Sequence, residues 1–388
     1  MEPVYLDHAA TTPLDGRVLA AMLPHLAQRW GNPSSLHRAG RDALAAVDEA
    51  RAEVAAWLGG REREVLFTSG GTEADNLAVR GVLLARRGEG RDVLVVSAVE
   101  HEAVAHTARS LAAQAGVEVR VAPVDAAGRI DLSALARLVD GRTALVCVML
   151  AQNETGAIHD VMGVVGIAHA QGALVHTDAV AAAPSLPIDV AALGVDLLAV
   201  SAHKIYGPQG VGALWVREGV DLLPVSTGGG QERDLRAGTH NVAGIVGMGR
   251  AAALARAEGP ARRAHLAALR EVLWEAVAAV GDVVRTIPAD GATAGTLHVR
   301  ALGAPSDSVL IGLDALGVAV SAGSACSAGA VRPSPVLLAM GVGDDEARTG
   351  IRLTLGKDTS EADVARAGEA FVAVVRRVRA ARRARAAS

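Results

Sequence analysis

Seven short apolar runs punctuate the first 216 residues, at 65–68, 93–96, 117–121, 144–150, 173–177, 197–201 and 211–216. Each run is continuous rather than alternating, which is the pattern of strands covered on both faces. Helical stretches separate most of them. In one, Leu44, Val47, Val54, Trp57 and Leu58 fall on a single face at helical spacing. Alternation of helix and strand from about residue 40 to 216 predicts an α/β domain with a mainly parallel central sheet.

The texture changes after about residue 255. An Ala/Arg/Leu helix is predicted over roughly 260–280, then strands at 296–300, 318–321 and 351–355, and a final helix from about 360. This reads as a smaller α+β domain. The first dozen residues look like an extended arm that joins it. The expected division is therefore 14–255 for the large domain, with 1–13 and 256–388 forming the small one.

Composition narrows the class. The 388 residues are 51% hydrophobic and 21% charged, with a formal net charge of -4. That balance gives no reason to expect direct nucleic-acid binding or a membrane surface. No apolar run approaches the ~20 residues of a membrane helix. Two cysteines, Cys147 and Cys326, make no disulfide framework and suit a reducing compartment. The N-terminus carries no basic-then-apolar targeting pattern, so a cytoplasmic protein is expected. Arg376, Arg377, Arg379, Arg382, Arg383 and Arg385 crowd the C-terminus. They read as a solvated helix end and frayed tail, or as a docking surface for an acidic partner.

Ligands of such sheets sit beyond the carboxyl ends of the strands. Five polar stretches fall there. At 68–76, Thr-Ser-Gly-Gly-Thr-Glu-Ala-Asp-Asn turns a strand into a helix. Glycines opening a helix expose backbone N–H groups that suit a phosphate, and Thr72 with Asp75 resembles a capping box. A tight turn with no ligand explains the same residues. His101 follows the 93–96 run and could stack on an aromatic cofactor ring, or be a surface histidine. Asn153, in Gln-Asn-Glu-Thr-Gly at 152–156, could bond a ligand oxygen or serve turn chemistry. Asp178 ends an apolar run, where a carboxylate is costly without a positive partner. Lys204, in Ser-Ala-His-Lys at 201–204, lies one helix and one strand further on. A lysine desolvated there becomes a nucleophilic amine able to form a Schiff base. Pyridoxal 5'-phosphate requires this set: an amine for its aldehyde, an acid for its ring nitrogen and a phosphate cradle.

These residues carry a family resemblance. The chain resembles the cysteine desulfurases of the NifS/IscS type, within the fold-type I pyridoxal-phosphate (class-V aminotransferase) enzymes. "YLDHAATTP" (5–13), "GNPSSLHRAG" (31–40), "FTSGGTEADNLAV" (67–79), "VEHEAV" (99–104), "QNETG" (152–156), "HTDAV" (176–180), "SAHKIYGPQGVGAL" (201–214), "GGGQERDLRAGTHN" (228–241), "SAGSACSAG" (321–329) and "IRLTLG" (351–356) look like its motifs in its order. The resemblance implies that Lys204 holds the cofactor and later moves protons. Asp178 would pair with the pyridine nitrogen. His101 would stack on the ring and act in acid–base steps, and Asn153 would lie near the phenolic oxygen. Gly71, Thr72, Ser201 and His203 would bind the phosphate. Thr239 would reach the phosphate of the other subunit of a homodimer. Arg352 would clamp the substrate carboxylate, assisted by Asn32.

Cys326 would collect sulfur from L-cysteine as a persulfide and hand it to a sulfur-acceptor protein, with L-alanine as co-product. Its surroundings at 321–329 are all small residues, as a mobile loop requires, and the segment resembles the longer-loop subgroup. Cys147, inside an apolar run, reads as a small buried residue. At position 181 the family usually carries Gln; here it is Ala181. His240 is a second, milder departure. Selenocysteine lyase and a non-catalytic sulfur-relay scaffold are the competing readings. Iron–sulfur cluster assembly, tRNA thiolation, DNA phosphorothioation and cofactor biosynthesis all stay open as destinations for the sulfur.

Overall fold

A computed structural model describes residues 3–323 and 333–387. Its strands among these residues are β1 (Val4–Tyr5), β2 (Val65–Thr68), β3 (Val93–Ser97), β4 (Glu118–Ala122), β5 (Thr143–Cys147), β6 (Leu174–Asp178), β7 (Leu197–Ser201), β8 (Gly212–Val216), β9 (Val283–Arg285), β10 (Thr296–Ala301), β11 (Val318–Ala319) and β12 (Gly350–Thr354). β2 to β8 form one sheet in the order β2-β8-β7-β6-β5-β3-β4. Only β8 runs against the rest of that sheet. The carboxyl ends of β2, β3, β5, β6 and β7 therefore share one edge. The sequence expectation of an α/β fold with a mainly parallel sheet is met.

Gly212 opens β8 at that edge. A Cβ there would stand 2.7 Å from both the Gly70 and the Val200 backbone, so only glycine lets the three segments meet. β4 departs from the expectation of two covered faces. It is the last strand in the order, and Val121 on it is 56% exposed.

Two helices differ from the pattern read along the chain. On helix Arg38–Leu58, Val47, Val54, Trp57 and Leu58 are buried, but Leu44 faces outward. Ala43, one residue earlier, takes the inward position, because 43, 47, 50 and 54 make the closer i, i+4, i+7, i+11 stripe. The second helix runs Val242–Ala278 rather than starting near 260, and passes through Pro260. Its first half is a Gly/Ala seam with no large-residue periodicity. Gly249 lies so close to the helix Arg38–Leu58 that a Cβ would stand 2.6 Å from the Ala50 Cα. Small residues there buy helix–helix approach, at the cost of a legible sequence signal.

One core cluster lies beneath the large sheet and includes Val54, Val146, Leu198 and Trp215. A second cluster joins Val4 and Leu6 of the N-terminal arm to Leu266, Leu353 and Phe371. It is centred on the antiparallel sheet β12-β10-β9 and on the helix Glu361–Ala387. That helix continues regularly to 387 instead of fraying. Arg379 is not a free basic group: it donates to the Leu302, Gly281 and Asp282 carbonyls at 2.9 Å each. No helix among the described residues is long and apolar enough to cross a membrane.

Phe371 is fully buried in the second cluster. Phe371→Ala should cost about 3–5 kcal/mol of stability through the cavity it leaves. Urea unfolding followed by circular dichroism would check it; a loss under about 1 kcal/mol would show that this cluster can collapse around the gap.

Candidate active site

The five polar stretches converge at the carboxyl edge of the sheet. After β2 the chain turns at Gly70 and enters helix Gly71–Arg86. The first helical backbone bond runs from Ala74 N–H to Gly70 C=O, so the amides of Gly71, Thr72 and Glu73 have no partner inside the helix. Gly71 is needed for packing as well, since a Cβ would stand 2.6 Å from Val180 Cγ2. Ala10, Thr11, Gly70, Gly71, Thr72, Ser201 and His203 line an open pocket of about 510 Å³ around this turn. His203 Nδ1 lies 3.1 Å from Thr11 Oγ1. Burial, reinforced by the Lys204 charge, pulls the His203 ring down to about 4 and keeps it neutral.

The capping box expected from Thr72 and Asp75 does not form. Glu73 instead ties the turn to the helix, its carboxylate accepting from Ser69 N–H at 2.6 Å, and no side chain caps the first helical amides. Asp75 is buried and turns inward, its Oδ1 3.0 Å from His176 Nε2. The reason is position: as the fifth residue of the helix, Asp75 already sits on its buried face.

Lys204 closes the turn after β7. Its Nζ donates to the carbonyls of Ala9 and of Ala10, the latter at 2.9 Å. Burial, then the nearby Arg352 charge, lowers its pKa to about 8, against the opposing pull of Asp178 and Asp7. Part of this amine is thus neutral near physiological pH. Tyr206, two residues on, has φ +66, a strained setting for a bulky residue. It is held there by Thr12 Oγ1, which accepts from Tyr206 N–H at 2.9 Å.

Asp178 ends β6 and is 3% exposed. Its Oδ1 accepts from Val180 N–H at 2.8 Å. Among the described residues no lysine or arginine pairs with it, so the sheet leaves a buried carboxyl group without a cation. His101 caps helix Glu102–Ala115, with Nδ1 accepting from Ala103 N–H at 3.1 Å. That bond places the neutral ring's proton on Nε2. Polar atoms of His101, Asp75 and Asp178 all lie within 4.8 Å of one another.

Arg352 on β12 is 4% exposed. One Nη donates to Asn153 C=O at 2.7 Å and the other to Asp7 Oδ1 at 2.8 Å, while Nε has no partner. Asn153 therefore serves the site through its backbone. No local spacing in the sequence signals Asp7; its carboxylate occupies the position on the guanidinium that suits a substrate carboxylate. Arg352→Lys keeps the charge and loses the planar fork. KM for an amino-acid substrate should rise about tenfold or more, with kcat less affected, in steady-state assays; an unchanged KM would remove Arg352 from carboxylate binding.

Other expected residues fall elsewhere. Asn32 is exposed, and its Oδ1 accepts from Ser34 N–H at 3.0 Å rather than reaching Arg352. Thr239 is exposed and does not line the pocket of its own chain. It lies in a segment where Glu232, Arg233 and Asp234 all have positive φ. Buried Glu232 anchors this segment, accepting from Arg51 at 2.7 and 2.8 Å and from Phe67 N–H at 3.0 Å, with His240 Nε2 at 2.7 Å. Those bonds overcome burial and bring Glu232 down to about 2. His240 thus holds the backbone of this segment. Ala181 borders a small cavity of about 40 Å³ shared with His8, Tyr206 and Lys357.

Cys326 lies outside the described residues. Their two edges both meet Glu154: a Cβ on Gly323 would stand 3.0 Å from Glu154 Cβ, and Ser334 Oγ donates to Glu154 Oε2 at 2.7 Å. Ser321 exchanges backbone bonds with Arg352 at 3.2 and 2.7 Å. Cys147 is buried in β5, and burial, then Glu100 and Asp75, pushes its thiol well up.

A half-buried amine with a lowered pKa, a buried carboxyl group with no cation paired to it and a helix start with partnerless amides lie along this edge. The aminotransferase class-V family model matches residues 4–367, and the chain belongs to that family. Within it, the chain is similar to cysteine desulfurases. It is 41% identical over 362 residues to the cysteine desulfurase IscS of Dictyoglomus turgidum, covering 93% of this chain and 91% of that protein. A solved NifS-like protein superposes with a TM-score of 0.91 at 34% identity, covering 96% of this chain and 99% of that one. A structure of SspA in complex with cysteine superposes with a TM-score of 0.79 at 32% identity, covering 90% and 98%.

Proposed function

We propose that this chain is a pyridoxal 5'-phosphate-dependent cysteine desulfurase that acts as a homodimer. It takes sulfur from L-cysteine, releases L-alanine, and leaves a persulfide on Cys326 for a sulfur-acceptor protein. The observation that carries the reading is Lys204, a half-buried amine with a pKa lowered to about 8, at the same sheet edge as the uncompensated carboxyl group of Asp178. The relatives named cysteine desulfurase support the substrate and product.

The residues fit the cofactor. Lys204 would hold its aldehyde, Asp178 would keep its ring nitrogen protonated, and His101 would lie against the ring. The amides of Gly71 and Thr72, with Ser201 and His203, would hold its phosphate. When bound, pyridoxal phosphate supplies the electron sink that lets the substrate's α-proton leave. Arg352 binds the substrate carboxylate and fixes which Cα bond faces Lys204. Lys204 Nζ would take the α-proton. The Cys326 thiolate attacks the substrate sulfur; the S–S bond forms as the substrate C–S bond breaks. The carbon fragment gains protons and leaves as L-alanine, so cysteine plus thiol gives alanine plus persulfide.

A second subunit would cover an apolar surface. Leu19, Leu23 and Leu26 on helix Gly16–Ala27 are exposed, Trp30 is 79% exposed and Leu36 is 90% exposed. Thr239 would then complete the partner's phosphate site. The proposed division is 14–255 for the large domain and 1–13 with 256–388 for the small one.

Mass spectrometry after treatment with L-cysteine tests the reading. Added sulfur on Cys326 with one alanine per turnover is expected. Alanine without added sulfur, or neither product from protein loaded with pyridoxal phosphate, would refute it.

A further inference from the structure

Behind Asp178 lies a second layer of buried ionisable groups that the proposed chemistry does not use. Asp75 comes from helix Gly71–Arg86, and His176 from β6, two residues before Asp178. His176 is 0% exposed and Asp75 1%. Asp75 Oδ1 and His176 Nε2 are 3.0 Å apart. Carboxylate oxygens of Asp75 and Asp178 lie within 4.8 Å of each other, with no lysine or arginine paired to either among the described residues. Two buried like charges at that separation cannot both persist.

We propose that Asp75 is a positioning residue: it stands in the fold as a neutral carboxylic acid, donates its proton to His176 Nε2, and leaves Asp178 as the single anion of the pair. The inference rests on the reading of Asp178 as the partner of a pyridine nitrogen. Its consequence is that the site's negative charge is fixed on the carboxylate that faces the cofactor rather than shared with one behind it. Asp178 Oδ1 is already oriented by Val180 N–H. Asp75 has no such amide bond and meets an imidazole instead.

The surroundings of Asp75 agree. β6 contributes His176 and Asp178, and β5 contributes Cys147. The turn after β3 contributes Glu100 and His101, while β7 and β8 bring no ionisable side chain. Burial, then Asp178, raises the Asp75 pKa well above the ordinary carboxylate value. Burial pulls His176 down to about 4, so the ring is a neutral acceptor. The Leu197 backbone, its register partner on β7, opposes this shift only in part, and His176 Nδ1 has no hydrogen-bond partner among the described residues. Glu100 is pushed up to about 8 by burial as well. Asp178 and Glu100 each accept from a backbone amide, Glu100 from Met149 N–H at 2.8 Å, whereas Asp75 meets only the imidazole.

Infrared difference spectra of the loaded enzyme at neutral pH, parent minus Asp75→Asn, test the protonation state. A protonated-carboxyl C=O stretch that belongs to Asp75 is expected. A carboxylate band in its place would overturn the proposal. Glu100 and other buried acids cancel in the subtraction. The dissociation constant of pyridoxal phosphate gives the second readout. Asp75→Ala, which leaves His176 unpaired, should weaken binding about tenfold. Asp75→Asn, which can still donate to Nε2, should recover most of that loss. Equal weakening by both variants would mean that the charge of Asp75 is used, and would also overturn the proposal. Asp178→Asn separates the two readings. If it binds the cofactor as the parent does, the role of Asp178 fails, while the infrared band still decides the state of Asp75.

Discussion

Lys204→Ala should lower alanine release from L-cysteine by about four orders of magnitude or more, because the same amine attaches the cofactor and moves the α-proton. The fold should survive. Lys204 Nζ donates to two carbonyls of the N-terminal arm, but that arm is also held by β1 pairing with β11 and by Thr12 bonding the His203 carbonyl. Steady-state assays with a circular dichroism control would check this; activity within tenfold of the parent would displace Lys204 from the chemistry. A pH test follows from the same burial. Only the neutral amine can capture the aldehyde. With a pKa lowered to about 8, covalent capture of added pyridoxal phosphate should rise with pH and level off above about 8. Below that point it should fall tenfold per pH unit. An ordinary lysine, near ~10.4, would place the limb about two units higher. Stopped-flow absorbance of the cofactor-free protein would locate it.

Cys326→Ser should lower sulfur release by about three orders of magnitude or more, since a hydroxyl at neutral pH is neither ionised nor able to carry a sulfane sulfur. Sulfide and alanine would be measured together. Alanine release at the parent rate would mean that the C–S bond breaks without this thiol. Cys147→Ala is the matched control: Cys147 is buried in β5 with its thiol pushed well up, so it should leave turnover within about twofold. The described residues on either side of positions 324–332 both lie close to Arg352. Ser321 is bonded to Arg352 across the chain, and Ser334 is bonded to Glu154, one residue from the Asn153 carbonyl that holds Arg352.

Much of the framework was legible because buried parallel strands leave continuous apolar runs. β2, β7 and β8 fall within a residue of their predicted bounds, and Asp178, Ser201 and Lys204 end or follow such runs. Local chemistry was legible wherever a single residue had to be of one type, as for Gly71 at its turn. Residues that act through partners distant in the chain were not. Asp7 meets Arg352 across 345 positions, and Asp75 meets His176 across 101. Neither pairing leaves a spacing in the sequence, and a capping role for Asp75 was the nearer local explanation. Leu44 and the Gly/Ala start of helix Val242–Ala278 were misread for a related reason. Side-chain size alone reports burial poorly where close helix contact selects small residues.

What the sequence by itself determined is the succession of strands and turns and the residues proposed as amine, acid and thiol, since backbone period and residue type are local properties. Only the tertiary structure decided which carboxylate stays unpaired, which arginine already holds an internal anion and how far the amine is desolvated. Those depend on the charges and the exclusion of water that distant segments bring together.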